Sequence, residues 1–282
     1  MMVRIQPYET KTLLVTVKTY PTPSTKYIET TCVSGITDNN DWIRLHPVNF
    51  RSLEEANQFP RYSRIRVRVN KATRDSRPES YHLDIDSIEH LGVVPTTNAW
   101  QERRAIIEPM LSRSIEDLQD QQKAHKTSLG VIRPKEIIRF RMEEVERNWS
   151  PEQLAKLDQQ DLFSPSRELR LEKIPFRFVY EFNCDDPRCK GHKMQVFDWE
   201  VAQAYRRWRR GKTRNEWEQM FRKEFDYNVR HTYDSLFFLG TLAAHPETWI
   251  IGGIFFAPKK RPLPQEAQPA QPTLWQAKEG NT

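Results

Sequence analysis

Two thiols and an imidazole stand together in Cys184-Asp-Asp-Pro-Arg-Cys189-Lys-Gly-His192, which holds two of the chain's three cysteines. Thiolate and imidazole are donors that Zn²⁺ favours, and the Pro and Gly between them turn the chain tightly enough for one loop to deliver several ligands. Three ligands are legible here, whereas a closed structural zinc site takes four. For the fourth place the sequence leaves Cys32, His231, His245, Asp185 and Asp186 open. Water in that place would make the site catalytic instead. The competing reading is a reduced, metal-free turn. The expectation is structural zinc on Cys184, Cys189 and His192.

Basic side chains gather in two places. In Arg64-Ile-Arg-Val-Arg-Val69 the arginines alternate with apolar residues, so Arg64, Arg66 and Arg68 share one strand face, about 7 Å apart. That interval resembles the phosphate spacing of an extended single strand, and Arg61 and Lys71 lengthen the row. The alternative is a solvated face paired with acids on the next strand, where Asp84 and Asp86 share a side. The second cluster is Tyr205-Arg-Arg-Trp-Arg-Arg-Gly-Lys212, with Arg206, Arg207, Arg209, Arg210 and Lys212 interleaved with Tyr205 and Trp208. Arginine grips phosphate bidentately and stacks on bases, which suits nucleic acid. The aromatic residues there fit a helix's core face equally well. Trp42 and Tyr62 are further candidates for stacking on bases.

Gln159-Gln-Asp-Leu162-Phe163 has the form of the short peptide by which bacterial polymerases and repair proteins dock on the replicative sliding clamp. The leading Gln would bond at the rim of a pocket that Leu162 and Phe163 fill. A Leu-Phe pair folded back on its own domain is the plainer reading of so short a match. No Gly-rich phosphate loop and no nucleophile elbow is present, and no nucleophile–base–orienter set is legible. A binding role is therefore favoured over catalysis, and the enzyme reading would rest on His46, His192 or His245.

The elements that must carry these groups follow from periodicity. Thr12–Lys18, Glu29–Ile36, Asp41–Leu45, Arg64–Val69 and Tyr81–Ile88 read as strands, the second and third as a hairpin around Thr37-Asp-Asn-Asn40. Thr97–Ala124 has helical spacing, divided by Pro109. Leu129–Val145 reads as strand apart from Arg133-Pro134, and a short helix starts at Ser150-Pro151. Pro175–Phe182 and Met194–Phe197 read as strands on either side of the Cys/His loop. Two helices, 198–210 and 212–229, and a hairpin, 236–242 with 248–256, complete the pattern. The expected class is α+β: two small antiparallel β-rich subdomains, at least one OB-like, connected by helices. The expected division is 1–95 barrel-like, 96–147 connecting, 148–171 polar linker, 172–258 with the Cys/His loop, and 259–282 a Pro/Gln/Ala-rich disordered tail.

At 282 residues with 37% hydrophobic and 29% charged side chains, the chain can bury a substantial core. A net charge of +6 is small for this length, so clustering matters more than the sum. No apolar run approaches a membrane span, no secretory leader is legible, and an odd number of cysteines argues against a disulfide scaffold. A cytoplasmic, membrane-free protein is expected.

The hairpin Cys32-Val-Ser-Gly-Ile36 … Trp42-Ile-Arg-Leu45 resembles the opening hairpin of bacterial proteins described as dual OB-domain proteins. The whole chain resembles an uncharacterised bacterial protein family. The residues that carry this likeness are Lys18-Thr-Tyr-Pro, Trp42-Ile-Arg-Leu-His-Pro, Arg77-Pro-Glu-Ser, the Cys-x4-Cys-x-Gly-His loop, Asp198-Trp-Glu, and Phe238-Leu-Gly-Thr … His245-Pro … Trp249-Ile-Ile. That resemblance implies no reaction, while an OB-like barrel implies binding of single strands or oligonucleotides. The reading that emerges is a nucleic-acid-binding accessory protein, preferring single strands of DNA or RNA and working beside other subunits in a bacterial defence or repair complex. The alternatives are a metal- or His-dependent nuclease or nucleotide hydrolase, and an adaptor that docks on the sliding clamp.

Overall fold

The computed structural model describes residues 7–24, 28–53, 57–158 and 171–259. The first half is built from β1 (Glu9–Lys18), β2 (Thr22–Ser24), β3 (Ile28–Thr37), β4 (Trp42–Val48), β5 (Ser63–Lys71), β6 (Ser80–Leu83) and β7 (Glu89–Val93). Five of these form a closed OB-like barrel in the order β1-β3-β4-β6-β5, with β5 returning to pair with β1. Closure removes the sheet's edges. Leu13, Val15, Val33, Ile43, Leu45, Ile65, Val67 and Val69 point inward and fill it. The alternation of β5 places Arg64, Arg66 and Arg68 outside, as its period requires. At Gly35 an added Cβ would lie 2.2 Å from the Leu14 carbonyl oxygen, so β1 and β3 can approach only without a side chain there. The single strand expected over Tyr81–Ile88 is broken after β6. The Ser87 hydroxyl donates to the Asp84 carbonyl (2.6 Å) and accepts from the Arg68 N–H (2.8 Å), which holds a turn between β6 and β7.

The second half comprises α1 (Thr97–Ile107), β8 (Leu111–Ser112), α2 (Ile115–His125), β9 (Leu129–Ile132), β10 (Glu136–Glu144), α3 (Pro151–Asp158), β11 (Phe176–Asn183), β12 (His192–Val196), α4 (Trp199–Trp208), α5 (Arg214–Arg222), a wider-wound continuation (Lys223–Thr232), β13 (Tyr233–Thr241) and β14 (Trp249–Pro258). Pro109 does divide the long helical stretch, at the turn Glu108–Met110. Seven strands form one sheet in the order β10-β11-β12-β14-β13-β9-β8, antiparallel except at β12–β14 and β8–β9.

The central strands of this sheet are buried on both faces. Phe237, Leu239, Ile251 and Ile254 pack with Tyr205, Trp217, Phe221 and Phe225 of the helical layer. Leu236, Phe238 and Phe255 pack with Leu14, Val17, Ile36 and Tyr62 of the barrel. Double burial explains why β1, β13 and β14 read as continuous apolar runs rather than alternations. Polar bonds fasten the same junction. Arg61 donates to Asp198 (2.7 Å), Arg44 to the Ser128 hydroxyl (2.7 Å), Arg77 to the Thr241 carbonyl (2.7 Å), and the Tyr20 N–H to the Phe197 carbonyl (2.7 Å). No helix among the described residues is long and apolar enough to cross a membrane.

Candidate metal centre and candidate nucleic-acid interface

The β11–β12 hairpin brings Phe182 opposite His192 in register, so the intervening loop folds its thiols back toward the imidazole. Gly191, at φ +89°, makes the return that a side chain would resist. The Asp186 backbone carbonyl accepts from the Cys189 N–H (3.0 Å), and the Asp186 carboxylate accepts from Arg188 and from the Ser114 hydroxyl (2.9 Å). Ser114 is also the N-cap of α2, accepting from the Asp117 N–H (3.0 Å). Loop and helix start are therefore tied together. Gly130 lets α2 lie this close to the sheet, since a Cβ there would meet Leu118 at 2.6 Å.

The fourth donor comes from that helix. Glu116, Cys184, Cys189 and His192 place one ligand atom each within 4.8 Å of one another. His192 Nε2 is 3.1 Å from Glu116 Oε1 and 3.3 Å from Cys189 Sγ. Donors around a tetrahedral zinc, about 2.0–2.3 Å from the ion, are separated by distances of this order. Glu116 Oε2 is buried without a hydrogen-bond partner, on the carboxylate whose Oε1 meets His192. Burial pushes the Cys184 thiol up to about 12, against a bond from the Ile115 backbone, and pushes the His192 imidazole down, opposed by Glu116. The imidazole is thus neutral, the form that ligates. A bound divalent cation would reverse the thiol's preference. The group can hold a metal ion. Of the sequence candidates for the fourth place, Cys32, His231, His245, Asp185 and Asp186, none supplies it; Asp186 instead positions the loop. Glu116 sits far upstream, in a helix's first turn, where an acid ordinarily serves the helix dipole. Nothing in its spacing marks it as a ligand.

The basic strand is not a free track. Arg64 meets Asp38 (2.6 Å), Arg66 meets Glu89 (2.9 Å), and Arg68 meets Asp84. Each exposed pair is worth at most about 1 kcal/mol, but each of the three guanidinium groups is already matched by a carboxylate. Arg61, expected beside them, is buried against Asp198, and Lys71 donates to the Pro78 carbonyl. Tyr62 is 4% exposed and belongs to the junction core, so it cannot stack on a base. Trp42 packs edge-on against Phe238 at the same junction.

The helix cluster is divided. Arg206 and Arg209 both meet Glu172. Arg207, Arg210 and Lys212 are exposed and, among the described residues, have no carboxylate within ion-pair distance. A groove of about 740 Å³ is lined by the half-buried Trp149 and Phe176 and by the buried Tyr205 and Trp217, together with Arg147, Lys173, Arg209 and Arg214; Arg207, Arg210 and Lys212 are not part of its lining. The Arg209 guanidinium lies 5.4 Å over Tyr205 and that of Arg214 5.9 Å over Phe176, while Lys173 Nζ is 5.6 Å from the Trp149 ring. Glu144 and Glu172 temper this charge from the rim. Trp149, Lys173 and Phe176 were not singled out in the sequence, being scattered on either side of a polar stretch.

The three histidines of the enzyme reading lie apart. His192 is in the metal cluster, His46 lines a cavity between the two halves, and His245 is exposed beside Glu247. Gln159, Leu162 and Phe163 lie outside the described residues.

No curated protein matches the chain. Residues 9–109, which include the barrel, match the family described as Domain of unknown function (DUF8758). The sheet and helices that build both the metal centre and the groove fall within residues 111–274, more than half the chain, so the protein belongs to the family described as Domain of unknown function (DUF8757).

Proposed function

We propose that the protein binds nucleic acid, single strands in preference to duplex, through the aromatic groove and the basic end of α4, and that one zinc ion pins the 184–192 loop to α2. The observation that carries the first part is the groove itself, where the half-buried rings of Trp149 and Phe176 stand among Arg147, Lys173, Arg209 and Arg214, and the exposed Arg207, Arg210 and Lys212 belong to the same helix end as Arg209. Stacking on aromatic faces is open to splayed single-stranded bases and closed to paired ones, while cations track the phosphates. The observation that carries the second part is the gathering of the Glu116 carboxylate, one oxygen of which has no hydrogen-bond partner, with two thiols and a neutral imidazole. Four protein donors leave no place for substrate, which is the pattern of a structural ion.

Fluorescence anisotropy of labelled single-stranded DNA, single-stranded RNA and duplex, at about 50 and about 200 mM salt, tests the binding reading. Three to four phosphate contacts should weaken single-strand affinity by about tenfold or more across that range. Affinity indifferent to salt, or equal for duplex, would overturn it. Elemental analysis of chelator-free protein should find about one zinc per chain, and less than about 0.3 would remove the ion.

A further inference from the structure

A second cavity, of about 300 Å³, lies between the barrel and the seven-stranded sheet, and neither the groove nor the metal centre uses it. Its floor is apolar, with Leu129, Leu239 and Ile250 contributed by the sheet. Its polar groups are unusual for so buried a place. Arg44 is 2% exposed and meets no carboxylate within ion-pair distance among the described residues. It donates to the Ser128 hydroxyl (2.7 Å), the Ser128 carbonyl (2.9 Å) and the Ser80 hydroxyl (3.3 Å). Arg77 is 7% exposed; Asp75 takes its Nε and Nη2. The carboxylates that offset these charges, Asp75 and Glu79, stand outside the cavity lining, whereas Arg44 and Arg77 both form part of it. The Thr241 hydroxyl, also in the lining, is buried without a hydrogen-bond partner. A buried hydroxyl left without a partner is costly, and Arg44 is a buried guanidinium held by neutral oxygens alone, without the carboxylate that Arg77 has in Asp75.

We infer that this cavity is a binding site for a small organic anion, its phosphate or carboxylate head on Arg44, Arg77 and Thr241 and its apolar body against the sheet. The volume suits a ligand of metabolite size. The site is formed jointly by β4 and the β6 approach on one side and by β9, β13 and β14 on the other, so occupancy would hold the two halves together. His46, in the same lining, is held neutral by burial and by the two arginines, and adds no competing charge. The inference is independent of the nucleic-acid reading, because the two cavities share no lining residue.

Two features make it testable without removing Arg44, whose loss could unfold the junction. The Cys32 thiol lines the cavity and is partly exposed, so its alkylation reports occupancy. A Cβ at Gly240 would sit 3.6 Å from Arg44 Nη2, in ordinary contact with its surroundings, so Gly240→Ala occupies the head-group space without forcing a shift. The experiment measures melting temperature and the rate of Cys32 alkylation on the full chain with phenyl phosphate, hexanoate, and phenol as the neutral control. Phenyl phosphate or hexanoate should raise the melting temperature and slow alkylation about tenfold at saturation, and Gly240→Ala should weaken either effect by about tenfold while leaving the unliganded melting temperature near that of the parent. Which anion acts identifies the head group. No effect from either anion, an equal effect from phenol, or anion effects unchanged in Gly240→Ala would each overturn the site.

Discussion

Both halves of the molecule carry an arginine-rich element, and the two have opposite surroundings. On β5 every exposed arginine faces a carboxylate delivered by a neighbouring turn or strand: Asp38 from the β3–β4 turn, Asp84 from beyond β6, Glu89 from β7. At the end of α4, Arg206 and Arg209 share Glu172, while Arg207, Arg210 and Lys212 are exposed with no carboxylate within ion-pair distance among the described residues. A closed barrel forces β5 to have neighbours on both sides, and those neighbours supply acids. A helix end has no such obligation. Basic residues in a strand are therefore poor evidence for a phosphate track until the flanking strands are known, whereas those at a helix terminus that meet no carboxylate retain their field and are stabilised by the dipole as well.

That contrast can be broken at several points. The largest effect should come from Arg61, whose ion pair with Asp198 is wholly interior and joins the barrel to α4. Arg61→Met leaves Asp198 buried without its cation and should cost about 3–5 kcal/mol in chemical denaturation. If it costs less than about 1 kcal/mol, the buried and exposed arginines do not differ as described.

Next in size is a pH effect of the buried set. Burial, with Arg77 and Arg44, lowers the pKa of His46 to about 4 from an ordinary value near 6.5. As pH falls from 6.5 to 4 the unfolded chain takes up a proton that the folded chain refuses, so stability is lost across that window, by about 2–3 kcal/mol. His46→Gln should flatten this component of the pH profile relative to the parent. Identical profiles would show that the imidazole is not held neutral.

The charge-reversed α4 variant Arg207→Glu/Arg210→Glu/Lys212→Glu should weaken single-strand binding by at least about tenfold and flatten its dependence on salt. The smallest effect belongs to β5. Arg64→Gln/Arg66→Gln/Arg68→Gln should change affinity by less than about twofold and stability by about 1 kcal/mol or less per pair, as exposed ion pairs do. If the β5 variant loses the binding and the α4 variant keeps it, the assignment of the two basic regions is reversed.

The sequence and the structure part company at identifiable residues. Ile65, Val67 and Val69 announce their strand because alternation is a local property, and Pro109 and Ser150-Pro151 announce helix boundaries for the same reason. Cys184, Cys189 and His192 are legible as candidate ligands because one hairpin carries all three. Glu116 is not, because its membership depends on how closely α2 approaches the β11–β12 loop, and that approach depends on Gly130 and on the bond from Ser114 to Asp186. Tyr62 reads as an exposed aromatic beside a basic strand, yet the docking of the second sheet makes it interior. Arg44 and Arg77, unremarkable in the chain, become the chief polar groups of a cavity only once two domains meet.

The order of residues alone determined most of the longer strands, the helix start at Ser150-Pro151 and the break at Pro109, the two families of basic side chains and three of four candidate metal donors, since each depends on spacing within a few residues. Tertiary structure decided which cations keep their charge toward solvent, which acid completes the metal cluster, and where the buried guanidiniums point. Those outcomes depend on distances between segments far apart in the chain, and electrostatic interaction follows distance in space.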